Sequence, residues 1–135
     1  MTAVAAAGIR TSGRYSPVMA TQELLGIKAV RMAMAERLQK ANDDAGTVHT
    51  VVLVDSKPRG VLVSVDWRRR AAEALNEPID LSKVPTVGVT DFRDNLGSYV
   101  GTSALVVRRA TPQAVLVPWD WYLRASKAMN EPVDF

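Results

Sequence analysis

The run VLVSVDWRRRAAEALNEPIDL, Val61 to Leu81, returns 54 residues later as VLVPWDWYLRASKAMNEPVDF, Val115 to Phe135. Twelve of the 21 positions are identical, where composition alone gives about one or two. Leu75 with Met129, Ile79 with Val133 and Leu81 with Phe135 are conservative pairs. A repeat of this strength organises the chain before any local reading begins. Upstream the match weakens. Pro58 faces Pro112, and VVLV (Val51 to Val54) faces LVVR (Leu105 to Arg108). Further back the offset becomes 62, laying LGIKAVRMAMAERL (Leu25 to Leu38) over VGVTDFRDNLGSYV (Val87 to Val100). Gly26 then meets Gly88, Ile27 meets Val89 and Arg31 meets Arg93. The eight extra residues of the first copy fall around AERLQKANDDAGT.

Each copy reads as β-α-β-β-α. A short apolar stretch (Leu25 to Ile27; Val87 to Val89) leads into a helical pattern. In the first copy Val30, Met34 and Leu38 share a face; in the second Phe92, Leu96, Tyr99 and Val100 do so. Thr90 suits an N-cap, with Asp91 in the first turn, whereas Lys28 at the matching place is a poor cap. Two apolar β-rich runs follow, VHTVVLV with GVLVSV and ALVVRR with AVLVPW. Their links, DSKPR and ATPQ, carry turn formers, so each pair is predicted to be a hairpin. Asp66 and Asp120 are the expected caps of a second helix. Its apolar stripe is Trp67, Ala71, Ala74 and Leu75, matched by Trp121, Ala125, Ala128 and Met129. Asn76 and Asn130 suit a left-handed C-terminal cap, and Pro78 and Pro132 stop continuation.

The first 21 residues carry Ala, Gly and Ser without periodicity, and are expected to be a flexible tail bearing Arg10 and Arg14. The predicted organisation is therefore a tail (1–21), a first repeat (22–81) and a second repeat (82–135). One unit of this size buries little apolar surface alone. Two in one chain share a core, so the tandem is expected to form a covalent pseudo-two-fold dimer of class α+β.

At 135 residues and 47% apolar the composition is globular. Seventeen Lys and Arg against fourteen Asp and Glu give a net charge of +3, which permits nucleic-acid binding without requiring it. No cysteine is present, so disulfides, thiol nucleophiles and cysteine-held metals are excluded. One histidine, His49, excludes multi-histidine metal sites. No Gly-rich phosphate loop, acidic metal cluster or Ser–His–Asp set occurs. We therefore expect no enzyme, no cofactor and no metal. No apolar run approaches a membrane span, and the N-terminus lacks the basic start of a signal peptide. A cytoplasmic protein without membrane contact is expected.

The second copy, VGVTDFRDNLGSYV…ALVVRRATPQAVLVPWDWY, resembles the Phd/YefM family of antitoxin and DNA-binding proteins. The matching residues are Thr90, Arg93, Asn95, Leu96, Arg108, the run Ala114 to Val117, and Tyr122. The first copy keeps Arg31 but has Met32, Ala33 and Met34 in place of Asp-Asn-Leu. The resemblance implies homodimers of mixed α/β domains that bind a palindromic operator, with a C-terminal extension that clamps a toxin. Here both copies lie in one chain, and NEPVDF follows the second helix directly. The resemblance thus implies a single-chain transcriptional regulator that binds double-stranded operator DNA. An antitoxin that binds a toxin protein, with Met1 to Thr21 as the contact, is the alternative. An architectural protein using the fold for self-association is a third reading, and further homo-oligomerisation stays open.

The resemblance implies DNA contact by Arg31 and Arg93 on the first helices, with Lys28 and Thr90 one turn earlier, and by Arg108 and Arg109 at the end of a hairpin strand. Two guanidinium groups related by the repeat are expected to reach two half-sites. The dull alternatives are a solvated arginine paired with Asp94, and an edge strand protected by charge. Val54 and Asp55 stand where Arg108 and Arg109 stand, so the copies are unequal; Lys57 and Arg59 in the first turn are the substitutes. Arg68 to Arg70 point in three directions on a helix and read as a solvated face. Trp67, Trp121, Leu75 and Met129 are expected in the core or the interface between copies. Trp119 has no counterpart, and His49 reads as an ordinary strand residue.

Overall fold

The computed structural model describes residues 21–42, 48–77, 81–131 and 133. The first copy comprises β1 (Thr21–Gly26), α1 (Ile27–Met32), α2 (Met34–Ala41), β2 (Val48–Val54), β3 (Lys57–Val63) and α3 (Val65–Ala74). A single 3-10 turn (Leu81–Lys83) leads to the second: β4 (Thr86–Gly88), α4 (Val89–Asp94), α5 (Leu96–Tyr99), β5 (Ala104–Arg108), β6 (Thr111–Pro118) and α6 (Trp119–Ala128). The fold is α+β, with one mixed six-stranded sheet in the order β1-β2-β3-β6-β5-β4. β1 runs parallel to β2 and β4 parallel to β5, while β2–β3, β3–β6 and β5–β6 are antiparallel. The order reads the same from either edge once each strand is equated with its repeat. Even the central register obeys this. Leu62 lies opposite Leu116, its own counterpart, and Val61–Val117 is mirrored by Val63–Val115.

Strand alternation sends side chains to two faces of the sheet. Val52, Leu62, Val106 and Leu116 face one way, into a core closed by Val30, Met34, Leu38, Phe92 and Leu96 from the short helices. Val51, Val61, Val115 and Val117 face the other way, against Trp67, Ala71, Tyr122 and Ala125 of α3 and α6. The result is three layers, four short helices over a sheet over two longer ones.

Several expectations change. The first helix of each copy is two short helices, broken at Ala33 (φ −109°, ψ 25°) and Asn95 (φ −120°, ψ 30°). Asn95 donates its Nδ2 to the Asp91 carboxylate at 2.7 Å, the kind of local side-chain bond that competes with a continuing helix. Ala33 carries no such group, and the first copy breaks at the equivalent position without one. Gly88, not Thr90, is the N-cap of α4, and Thr90 sits inside the first turn. Ser64 caps α3, its Oγ accepting from the Trp67 amide at 2.9 Å, and Pro118 occupies the matching place before α6; Asp66 and Asp120 fall in the first turns. The hairpin turns are only two residues long. Asp55–Ser56 and Arg109–Ala110 each hold φ near +51° and +65°, the positive pair that matches strand twist. Pro58 and Pro112 lie beyond the turns, at a bulge in each hairpin, and Lys57 and Arg59 belong to β3. Ala74 and Ala128 are exposed; Ala72 and Ser126 take the buried places beside Ala71 and Ala125.

The C-terminal caps follow the sequence reading. Asn76 and Asn130 both sit at φ 57°. Glu77 N donates to Ala72 O, and Glu131 N to Ser126 O, both at 2.9 Å, closing the paired bonds of a left-handed helix end. The extra residues of the first copy lengthen α2 to eight residues against four in α5. β1 begins at Thr21, inside the segment read as tail. Residues 1–20, with Arg10 and Arg14, and Pro78, Pro132 and Phe135 lie outside the described residues.

Candidate nucleic-acid interface

The short helices expose one edge of their layer. Val30 and Phe92 turn inward and are fully buried, which turns Arg31 and Arg93 out to solvent. The repeat does not hold these arginines apart, as separate half-sites would need. It brings them together: Arg31 Nε donates to the backbone carbonyl of Arg93 at 3.1 Å. Lys28, Arg31, Met32 and Arg93 line one concavity. Arg93 also lines the next, with Thr90, Asp91, Arg108 and Arg109. Arg108 continues into a third, beside Gln39 of α2, Asn42 just past its end and Gln113 of β6. The three concavities share arginines at their boundaries, so five cations form one track across both copies.

The track is only partly neutralised. Asp94 accepts from Arg93 Nε at 3.0 Å, as the dull reading of that arginine foresaw. Asp91 is held by Asn95 Nδ2 and by the Tyr99 hydroxyl, both at 2.7 Å, and this acceptor keeps the tyrosine proton on, raising its pKa. Among the described residues, Lys28, Arg31, Arg108 and Arg109 form no ion pair. Met32 stands 80% exposed between Arg31 and the break. A large apolar side chain so exposed beside two guanidinium groups contributes nothing to the core.

Most arginines elsewhere are spoken for, Arg59 on β3 being exposed without an ion pair among the described residues. Arg37 is buried and bound to Glu23 at 2.6 Å, and this bond holds the Glu23 carboxyl below the usual range. Arg69 and Arg70 both pair with Asp66, lowering its pKa, with the Arg70 bond the larger cause. Arg68 turns inward over the Trp121 ring, 4.5 Å from its centre, and burial lowers its pKa. The basic run of α3 is thus a solvated pair plus one cation–π contact.

The opposite layer holds further polar contacts between the copies. Trp67 Nε1 donates to Glu131 at 2.9 Å, and Trp121 Nε1 donates to Glu77 at 3.0 Å. Each copy's tryptophan is bound by the other copy's glutamate. Leu75 and Met129 pack half-buried on the same cluster. His49 is more than a strand residue. It is fully buried, with Nδ1 2.7 Å from the Tyr122 hydroxyl and its ring edge against Trp67. Gln22 Nε2 donates to the same hydroxyl at 3.0 Å. Burial pushes the Tyr122 pKa up to about 12. Trp119 stacks on Tyr122, so its lack of a counterpart matches the lack of a second tyrosine.

Sequence reasoning missed Glu77 and Glu131 as partners. The signal was present: Trp and Glu are both invariant between copies at one spacing. Among the described residues no group of three His, Cys, Asp or Glu could hold a metal, and no helix is long and apolar enough to cross a membrane. No family model, curated protein or solved structure matches this chain.

Proposed function

We propose that the chain is a sequence-specific double-stranded DNA-binding protein acting as a transcriptional regulator, a single-chain, two-copy counterpart of a Phd/YefM-type dimer with an internal pseudo-two-fold. The observation that carries this reading is the meeting of Arg31 and Arg93 within a five-cation track. Arg31 is tied to the Arg93 main chain and Arg93 to Asp94, which leaves Lys28 and Arg31 without an ion pair at the concavity they share with Arg93, a surface whose excess positive charge attracts an anion. A phosphate backbone supplies that anion, and guanine offers paired acceptors to a guanidinium fork. On this reading α1 and α4 enter one major groove side by side, while Arg108 and Arg109 grip the flanking backbone. The symmetric strand order and the Leu62–Leu116 register support the pseudo-two-fold.

The test is a titration of the chain against duplex DNA from upstream of its own gene, at several salt concentrations. Affinity is expected to fall steeply with salt, with a slope of about −0.9 per neutralised phosphate. Arg31→Ala with Arg93→Ala is expected to weaken specific binding by about a hundredfold or more, with the circular dichroism spectrum unchanged because both side chains are exposed. Unaltered affinity in the double variant refutes the assignment.

A further inference from the structure

We infer that the chain engages its duplex in one orientation only, on a site whose two halves differ in sequence. This rests on the DNA-binding reading above. It comes from the places where the two copies, alike in backbone, differ in charge on the track and at the hairpin tips. Lys28 is matched by Thr90, and Met32 by Asp94. At the hairpin tips the charges are placed differently: Val54 and Asp55 are matched by Arg108 and Arg109, while Lys57 and Arg59 are matched by the neutral Thr111 and Gln113. The tip residues share their geometry, with Asp55 and Arg109 both at φ 51°, so a carboxylate and a guanidinium stand at equivalent points at the ends of the two hairpins. The first copy is therefore basic on its helix, and at its tip Asp55 is offset by Lys57 on the other side of the turn. The second is basic at its tip and carries acids on its helix.

Turning such a molecule round on a duplex exchanges Asp55 for Arg109 against the same backbone, so a point of attraction becomes a point of repulsion and the cations flanking it, Lys57 and Arg59 against Arg108, change place. The base edges favoured near the centre differ as well. Met32, 80% exposed, offers an apolar contact for a thymine methyl, whereas Asp94 can accept from a cytosine amino group. An arginine is present on each side, so the guanine preference is shared and the flanking preferences are not. A perfect palindrome then satisfies one half of the protein at the expense of the other.

The chain has no cysteine, so single-cysteine variants can carry one DNA-cleaving iron chelate each. Ser56→Cys and Ala110→Cys place the probe at the two tips, beside the track and outside it. The intact chain is used to select bound duplexes from a randomised pool, and each probe is then mapped on the selected duplex. The expected result is cutting confined to one half by each probe, to opposite halves by the two, and at least fivefold weaker binding to either palindrome made from one half. Asp55→Arg is expected to tighten binding several-fold and to let each probe cut both halves. Wild-type tips that cut both halves equally, or palindromes bound as tightly as the selected site, overturn the inference and leave the DNA-binding reading standing. A chain that retains no duplex from the pool overturns both.

Discussion

Tyr122 shows how one residue ties stability to pH. Its hydroxyl is fully buried among Gln22, His49, Trp67 and Trp119, and it stays protonated to about pH 12. In the unfolded chain it ionises near pH 10. The folded value lies above the unfolded one, so this contribution is complete below about pH 10 and is lost as pH rises towards 12. A shift of about two units corresponds to roughly 2–3 kcal/mol at the high end. Urea midpoints measured from pH 9 to 11.5 are expected to fall more steeply for the wild type than for Tyr122→Phe, which starts lower. Parallel slopes contradict the assignment. None of this cluster was legible as a cluster. Tyr122 could be picked out by its place near a helix start, but its partner His49 is 73 residues away, and only the strand pairing brings them together. Asn76 and Asn130, by contrast, were legible because a left-handed cap is decided by three or four neighbouring residues.

At the scale of elements the hairpins make the sharpest case. Both tips place two non-glycine residues at positive φ, a region that costs an L-residue roughly 1–2 kcal/mol. Glycine gives part of that back through its own greater unfolded freedom. Ala110→Gly and Ser56→Gly are therefore each expected to raise stability by about 0.5–1 kcal/mol, read as a higher denaturant midpoint at unchanged slope. A lower midpoint in either variant would show that the turn is not held as described. The sequence located both hairpins yet misjudged their length, because Pro58 and Pro112 look like turn formers. They sit instead at bulges, where a strand can spare an amide. The N-caps failed for a similar reason. Thr90, Asp66 and Asp120 are good capping types, but strand pairing runs on to Gly88, and Ser64 and Pro118 take the cap positions before α3 and α6. The cation track was legible as single residues and not as a surface, since the adjacency of Arg31 and Arg93 depends on how the copies meet.

For the whole molecule, the crossed Trp–Glu bonds make each copy part of the other's core. Glu131 serves Trp67, which is 1% exposed, whereas Glu77 serves the half-buried Trp121. A buried donor left without its acceptor costs more than one that water can reach. Glu131→Ala is expected to destabilise by about 2 kcal/mol and Glu77→Ala by about 1 kcal/mol. Both should shift one shared transition, seen alike by tryptophan fluorescence and far-ultraviolet circular dichroism; two separated transitions in either variant contradict a common core. The repeat made this architecture readable, since it implied that two equal units would have to share a sheet. The Leu62–Leu116 pair carries a consequence of its own. In an assembly of two identical chains a side chain on the axis meets its own duplicate, and every substitution there strikes twice. Once the two units are joined in one gene, the two positions vary separately. A bulge on one side can be answered by a hollow on the other, so complementary sizes such as Ala facing Phe become reachable at the very centre of the sheet, a solution that no symmetric pair can encode.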